Sequence, residues 1–501
     1  MSDYRDTGRT IIPGTWSDAM VGRETSHPAL RVEPTSAVSA FGELMFATNT
    51  PVVQLVAQYN QLHSLEQFTL PLGLASTGTV DSMFFASTDA APGSAAAITS
   101  RRALTYRAGQ GASARFTAKF GTPVEGNFQF AGLIGVSDRL TFGYENTVFG
   151  IHYRKFGKSE VQDLQVTTPA GGDEDATVTV GGVAFTVPLT AGTVEDNAFE
   201  IAMSLQDQTD LYDFDSVGDT VKAIGIRSGV VVSAFDFTSA TAVATWSQAV
   251  AGVASEDEFI PQTDWSEGVS FKITPDKLTP YQISFEYLGG GGIDFFAENP
   301  ETSNFELVHR LIIAGTGDKP SLLNPSFKIG WATANSTSTT STTVYGASAA
   351  GFIQGLKRFT NPTSATSATT SNVGTTPTNI VTVKCRNEFG GIRNFSEIVM
   401  ALSGASSDSS KNVSVQLIRN ATFSSPLNYR YKDEFESVAL IATAPVAITG
   451  GDVLAAGSPG ELNLDVLNQV LIPGESVTIA MNVSQTPVSE MSASLIWFED
   501  Q

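Results

Sequence analysis

The sequence predicts a mostly β, multi-domain protein of β-sandwich or jelly-roll type, with a small α+β insert and an extended N-terminal arm. Three observations carry this. Short runs of alternating apolar and small or polar residues recur along most of the chain, the period of a half-buried strand. One stretch alone reads with helical spacing behind a capping residue. The 501 residues exceed one ordinary core of roughly 100–200 residues, which sets a prior of about two to four domains.

Residues 1–63 hold Pro13, Pro28, Pro34 and Pro51 among short apolar runs and read as an extended docking arm. Its candidate anchors to a particle or to neighbouring subunits are Ile11, Ile12, Trp16, Leu30, Val32, Phe41, Leu44 and Phe46. Such an arm cannot bury enough apolar surface by itself to offset about 1–2 kcal/mol of backbone entropy per ordered residue.

Residues 64–160 are strand-like. Leu140 to Tyr144 and Thr147 to Tyr153 alternate in period 2 around a turn at Glu145-Asn146, a hairpin signal. The same character returns at Tyr281 to Tyr287, Ile293 to Phe296 and Phe305 to His309, so 64–160 with 261–331 form one discontinuous sandwich.

Between them, residues 161–260 read as the α+β insert. Gly181-Gly182 separates two alternating runs and suits a primed hairpin turn. Thr193 is placed as an N-cap with Asp196 three residues on, and Val194, Ala198, Ile201, Ala202 and Leu205 follow at helical spacing.

Residues 332–378 contain two Ser/Thr-rich tracts, 336–344 and 363–376, which read as linker. Residues 379–501 alternate again, for example at Val477 to Met481 and Ala493 to Trp497, and predict a second sandwich.

Charge narrows the function. Lys and Arg number 29 against 51 Asp and Glu, a net charge of -22, which repels nucleic-acid phosphates and anionic membrane surfaces. The single cysteine, Cys385, excludes an internal disulfide framework. The N-terminus lacks the basic and apolar regions of a signal peptide, so synthesis in the cytoplasm is the expectation.

Sites of chemistry are sparse. The four histidines, His27, His63, His152 and His309, lack a second ligand at metal spacing, and Gly289 to Gly292 lacks the Lys-Ser/Thr of a phosphate loop. Asp173-Glu174-Asp175 and the series Asp207, Asp210, Asp213, Asp215, Asp219 offer oxygens for calcium but lack EF-hand spacing; a solvated acidic loop is the plainer reading. Glu286 with Asp294 or Glu298 offers a carboxylate pair for glycoside hydrolysis, as any acidic β protein does. No cofactor or metal is expected. Trp246, Trp265, Trp331 and Tyr345 lie near expected loops and are candidate glycan contacts, against the plainer reading that they pack in a core or interface.

The run Arg102 to Gly111, the hairpin Phe142-Gly143-Tyr144 to Phe149-Gly150, the stretch Tyr287 to Thr302 and the ending Leu495 to Asp500 resemble virion structural proteins of tailed phages and large double-stranded DNA viruses. The resemblance implies a spike, fibre or capsid-associated protein without enzymatic activity, located in the virion and made in the host cytoplasm. It further implies a homo-oligomer, a trimer by analogy with projecting spikes, joined to other virion proteins through its arm and meeting a host-surface glycan. Two other classes fit a β-rich acidic chain: a carbohydrate-degrading depolymerase and a secreted carbohydrate-binding adhesin.

Overall fold

The computed structural model describes residues 20–21, 30–31, 49–58, 67–206, 208–209, 211–229, 234–268, 271–315, 318–355, 363–371, 373–389, 392–393, 396–407, 413–458, 470–483 and 490–500. The protein is mostly β, its strands paired antiparallel throughout the named sheets, and Val194–Gln206 is the one α-helix among the described residues.

The first body is a sandwich of two sheets. In spatial order the seven-stranded sheet runs Glu256–Pro261, Val148–Lys155, Arg139–Glu145, Asn127–Ile134, Lys328–Asn335, Ala95–Ser100 and Gln67–Leu72. The six-stranded sheet runs Phe305–Leu311, Ile293–Glu298, Thr279–Phe285, Ala112–Ala118, Ser348–Gln354 and Asn49–Val56. Chain segments from before and after the insert therefore pair with one another within each sheet: Ala112–Ala118 pairs with Thr279–Phe285, and Asn127–Ile134 with Lys328–Asn335. Aromatics fill the space between. Phe142 lies 4.6 Å from Tyr281 and 5.5 Å from Phe295, ring centre to ring centre, with both Phe142 and Tyr281 fully buried.

Four boundaries differ from the sequence reading. Asn49–Val56, read as part of the arm, is the edge strand of the six-stranded sheet, and Val53 and Leu55 enter the core. Seven of the arm's candidate anchors lie outside the described residues; Leu30 falls in the two-residue strand Leu30–Arg31, paired to Met20–Val21. Glu256–Pro261, assigned to the insert, belongs to the seven-stranded sheet. The hairpin turn shifts by one residue to Asn146-Thr147, because Glu145 still pairs with Val148 and Asn146 takes the positive φ of 55°.

The fourth correction is the linker. Lys328–Asn335, Thr343–Gly346 and Ser348–Gln354 are strands of the first body, and Thr363–Thr370 is a strand of the last. Hydroxyls replace the missing apolar groups. Thr342 Oγ1 sits 2.8 Å from Thr333 Oγ1, its backbone N–H donates to Thr88 Oγ1 at 3.1 Å, and Asn335 Nδ2 donates to Thr340 O at 3.2 Å. Buried polar groups that satisfy one another cost little, so a Ser/Thr tract can close a sandwich.

The insert forms around Ser159–Thr168 and Val243–Val250, which join Thr220–Ser228 and Tyr212–Val217 in a four-stranded sheet. Beside it, Glu174–Val180 and Val183–Leu189 turn at Gly181 and Gly182, whose φ values of 60° and 85° suit a residue without Cβ. The helix begins in a capping box. Thr193 Oγ1 accepts the Asp196 N–H at 3.2 Å, and Asp196 Oδ2 accepts the Thr193 N–H at 2.9 Å. Its buried face, Ala198, Ile201, Ala202 and Leu205, packs in one cluster with Leu164, Val178 and Tyr212.

The last body is a second sandwich. Thr363–Thr370, Met491–Asp500, Glu397–Ser407 and Val470–Leu471 face Arg430–Tyr431, Ala439–Ala442, Thr378–Cys385, Ser476–Val483, Val413–Phe423 and Ile448–Gly457. Trp497, Leu495, Val383, Ile479 and Leu417 are fully buried between them. Each such side chain contributes about 1.5–3 kcal/mol on removal from water.

Candidate functional site

The aromatic glycan candidates lie on separate elements. Trp331 is a core residue, 1 % exposed, with Nε1 donating to Thr117 O at 2.8 Å and its ring 5.4 Å from Phe84. This overturns its candidacy: a Cβ at Gly346 would come within 1.9 Å of the indole, so the strand opposite presses on the ring. Trp265 is half-buried against the same core, edge-on to Phe142 at 5.8 Å. Trp246 packs on Phe235 at 4.9 Å in the insert and donates from Nε1 to Asp236 O at 3.2 Å. Tyr345 lies under the Lys119 ammonium at 5.2 Å. Among the described residues no ring pair joins two of the four.

The carboxylates are mostly taken. Asp294 holds Arg310 in a two-point fork at 2.6 and 2.8 Å, so it is committed away from Glu286. Glu174 accepts Ser239 Oγ at 2.5 Å, Thr241 Oγ1 at 3.0 Å and the Ala242 N–H at 3.0 Å, which ties its strand to the loop before Val243–Val250. Asp207 and Asp210 lie outside the described residues. Asp213 and Asp215 are not a solvated loop; they face the C-terminal sandwich.

There the three bodies meet in a buried charged junction. Asp215, 4 % exposed, accepts Lys384 Nζ at 2.6 Å through Oδ1 and Asn387 Nδ2 at 3.1 Å through Oδ2. Asp213 pairs with Arg393, and Asn324 Nδ2 of the first sandwich donates to Arg393 O at 3.2 Å. From the loop after Ala95–Ser100, Arg102 forks onto Glu397 and Arg101 pairs with Glu475. Glu475 also holds Arg419 at 2.5 Å. Burial is the largest influence on Lys384 and lowers its pKa, but the Asp215 carboxylate, Tyr429 and Cys385 together outweigh burial and hold the ammonium above its usual range. Apolar contact completes the seam: Val217 of the insert packs on Leu427, Tyr429 and Leu440, and the Gly218 N–H donates to Tyr429 O at 2.8 Å.

The sequence reading named Asp213 and Asp215 for the wrong chemistry and missed Lys384, Arg393, Glu397 and Glu475. A signal existed. In a chain with 29 basic residues, the doublet Arg101-Arg102 and the three cations Lys384, Arg386 and Arg393 within ten residues are local excesses.

A second polar cluster lies on the outer face of the seven-stranded sheet. His152 stands between Phe130 at 4.7 Å and Phe259 at 4.8 Å, and the Arg139 guanidinium lies 3.9 Å from the Phe130 ring centre. Burial, reinforced by the Arg154 charge, pushes Arg139 down to about 9, and burial with the Arg139 charge holds His152 well below its ordinary value. Nε2 of His152 and Oγ1 of Thr141, its cross-strand partner, are buried without a hydrogen-bond partner.

No protein-family model matches the chain, and no curated protein matches it. Among solved structures, the chain is similar to a lectin from Bauhinia forficata in complex with GalNAc, at 7 % identity and a TM-score of 0.23, over 62 % of this chain and 100 % of that one. A likeness of that degree carries no argument about fold or ligand.

Proposed function

We propose that this chain is a structural component of a virus particle: a spike, fibre or capsid-associated protein that docks through its N-terminal segment and displays its β bodies toward the host surface. The observation that carries the reading is the charged junction. Three β bodies are joined by ion pairs from Arg102 to Glu397 and from Lys384 to Asp215, each built on a buried carboxylate, an arrangement suited to bearing load. The resemblance in sequence points the same way, to a homo-oligomer of three-fold symmetry that contacts other virion proteins and a host-surface glycan, without nucleic acid or membrane insertion.

The test is incorporation. Mass spectrometry of purified particles should detect the full chain at fixed copy number, and deletion of residues 1–48, which spares the strand Asn49–Val56, should leave soluble β-rich protein that no longer incorporates. Incorporation of the truncated chain at normal copy number would sink the docking role. Release of new reducing ends from host polysaccharide by the purified protein would favour the depolymerase reading instead.

A further inference from the structure

Strands of the six-stranded sheet bury alternate side chains in the core and turn the others outward. Ala114 and Phe116 enter the core, so Ser113 and Arg115 stand on the outer face, and register places Ala350, Phe352, Gln282 and Ser284 beside them. Phe352 lies across from Ser113 and Ala350 across from Arg115. The two large side chains thus take one diagonal of a four-residue square and the two small ones the other, which leaves a dip beside the arginine.

Arg115 is exposed, yet it is held in place. Its Nε donates to Gln282 Oε1 at 2.7 Å, and Gln282 is fixed in turn by donating from Nε2 to Ser284 Oγ at 3.0 Å. The guanidinium carbon lies 5.4 Å from the ring centre of Phe305 and 5.7 Å from that of Phe352, one ring from each side of the arginine's own strand. Its two terminal nitrogens have no hydrogen-bond partner and no carboxylate among the described residues. Asp294, on the same face, is taken by Arg310. In a chain with 51 acidic residues against 29 basic ones, this is a positioned charge that the fold itself does not neutralise.

We propose that this face binds a sugar residue bearing one carboxylate, of the sialic or uronic acid class, with the carboxylate forked on the terminal nitrogens of Arg115 and the apolar side of the sugar against Phe352. The free guanidinium edge matches a carboxylate in shape and charge. Arg115 and Arg310 are the cationic residues of the sheet's six strands, and Arg310 is neutralised, so the face offers one positive charge, a poor match to an acidic peptide with several carboxylates. The exposed Gln54 amide, across from Ala350, supplies both a donor and an acceptor for ring hydroxyls. The inference rests on the host-glycan part of the proposed function and adds the class of sugar and the place where it binds.

Titration calorimetry of the full chain with sialyllactose, a glucuronate oligomer, neutral lactose and tetraglutamate tests it. At least one acidic sugar should bind about tenfold or more tighter than lactose, and less tightly as salt rises. Arg115→Met, which keeps an apolar stem between the rings, should weaken that binding about tenfold or more. Ala350→Glu sets a carboxylate directly across from Arg115, a favourable cross-strand pair that occupies the guanidinium, and should weaken it likewise. Circular dichroism checks that each variant retains its sheets. Failure of both acidic sugars to bind, equal binding of lactose, an unchanged affinity in either folded variant, or tetraglutamate bound as tightly as the sugars would overturn the inference. Incorporation into particles is measured separately, so the sugar site and the virion reading can each fail without the other.

Discussion

Arg102 grips Glu397 with two parallel hydrogen bonds, Nε to Oε1 at 2.9 Å and Nη2 to Oε2 at 2.6 Å, across a sequence separation of 295 residues. The fork joins two sandwiches, and its partners differ in setting: the arginine is 38 % exposed and the carboxylate 2 %. Glu397 therefore depends on Arg102 more than the reverse.

Arg102→Ala should destabilise the docked C-terminal body by about 3 kcal/mol, because it removes two charge-assisted hydrogen bonds from a buried carboxylate. Urea unfolding should then resolve a separate early transition for that body. The double variant Arg102→Met with Glu397→Leu should lose less than the single one; an additive or larger loss would show that the fork is not the source of the effect.

Trp331→Ala should cost about 3–5 kcal/mol through the cavity it leaves, and Gly346→Val should also destabilise by forcing side-chain atoms into the indole. Thermal unfolding checks both. Wild-type stability in Trp331→Ala would remove the core role that the sequence favoured and reopen its candidacy as a glycan contact.

His152 gives stability a pH slope. Its folded pKa is depressed by burial and the Arg139 charge, so near and below the unfolded value of about 6.5 the unfolded chain binds the extra proton. Stability is then full above about pH 6.5 and falls as the pH drops toward the folded pKa, with a slope of at most about 1.4 kcal/mol per pH unit. His309, also depressed chiefly by burial, adds to the same limb. His152→Gln should flatten the profile measured by denaturant melts between pH 5 and 7; an unchanged slope would remove His152 as its cause.

Chelation should leave the melting temperature unchanged. Three of the acidic residues that looked available for calcium are engaged by the protein: Asp215 by Lys384, Asp213 by Arg393, and Glu174 by Ser239 and Thr241. A fall of several degrees in EDTA, restored by calcium, would show a binding site among other residues.

Legibility followed range. The helix was readable because its capping box, Thr193 with Asp196, and its apolar face lie within one short window. The Gly181-Gly182 hairpin was readable for the same reason. The Ser/Thr tracts were misread because a search for apolar periodicity cannot see hydroxyl pairing such as Thr333 with Thr342. The junction's cations left a local mark, but its pairing did not: Lys384 and Asp215 stand 169 residues apart, and nothing in either local sequence names the other.

The strand Asn49–Val56 completes its sheet only against Ser348–Gln354, about 300 residues later in the chain. At about 5–20 residues per second, a ribosome takes roughly 15–60 s to supply the partner. For that interval the first sandwich lacks its central and edge strands, while the insert, contiguous in sequence, is already free to collapse around its helix. Synthesis thus imposes an order in which the middle of the polypeptide matures before either flank, and the half-made outer sheet waits exposed. Slowing translation between residues 250 and 350 should lengthen that vulnerable period and raise the yield of aggregated, protease-sensitive nascent chains.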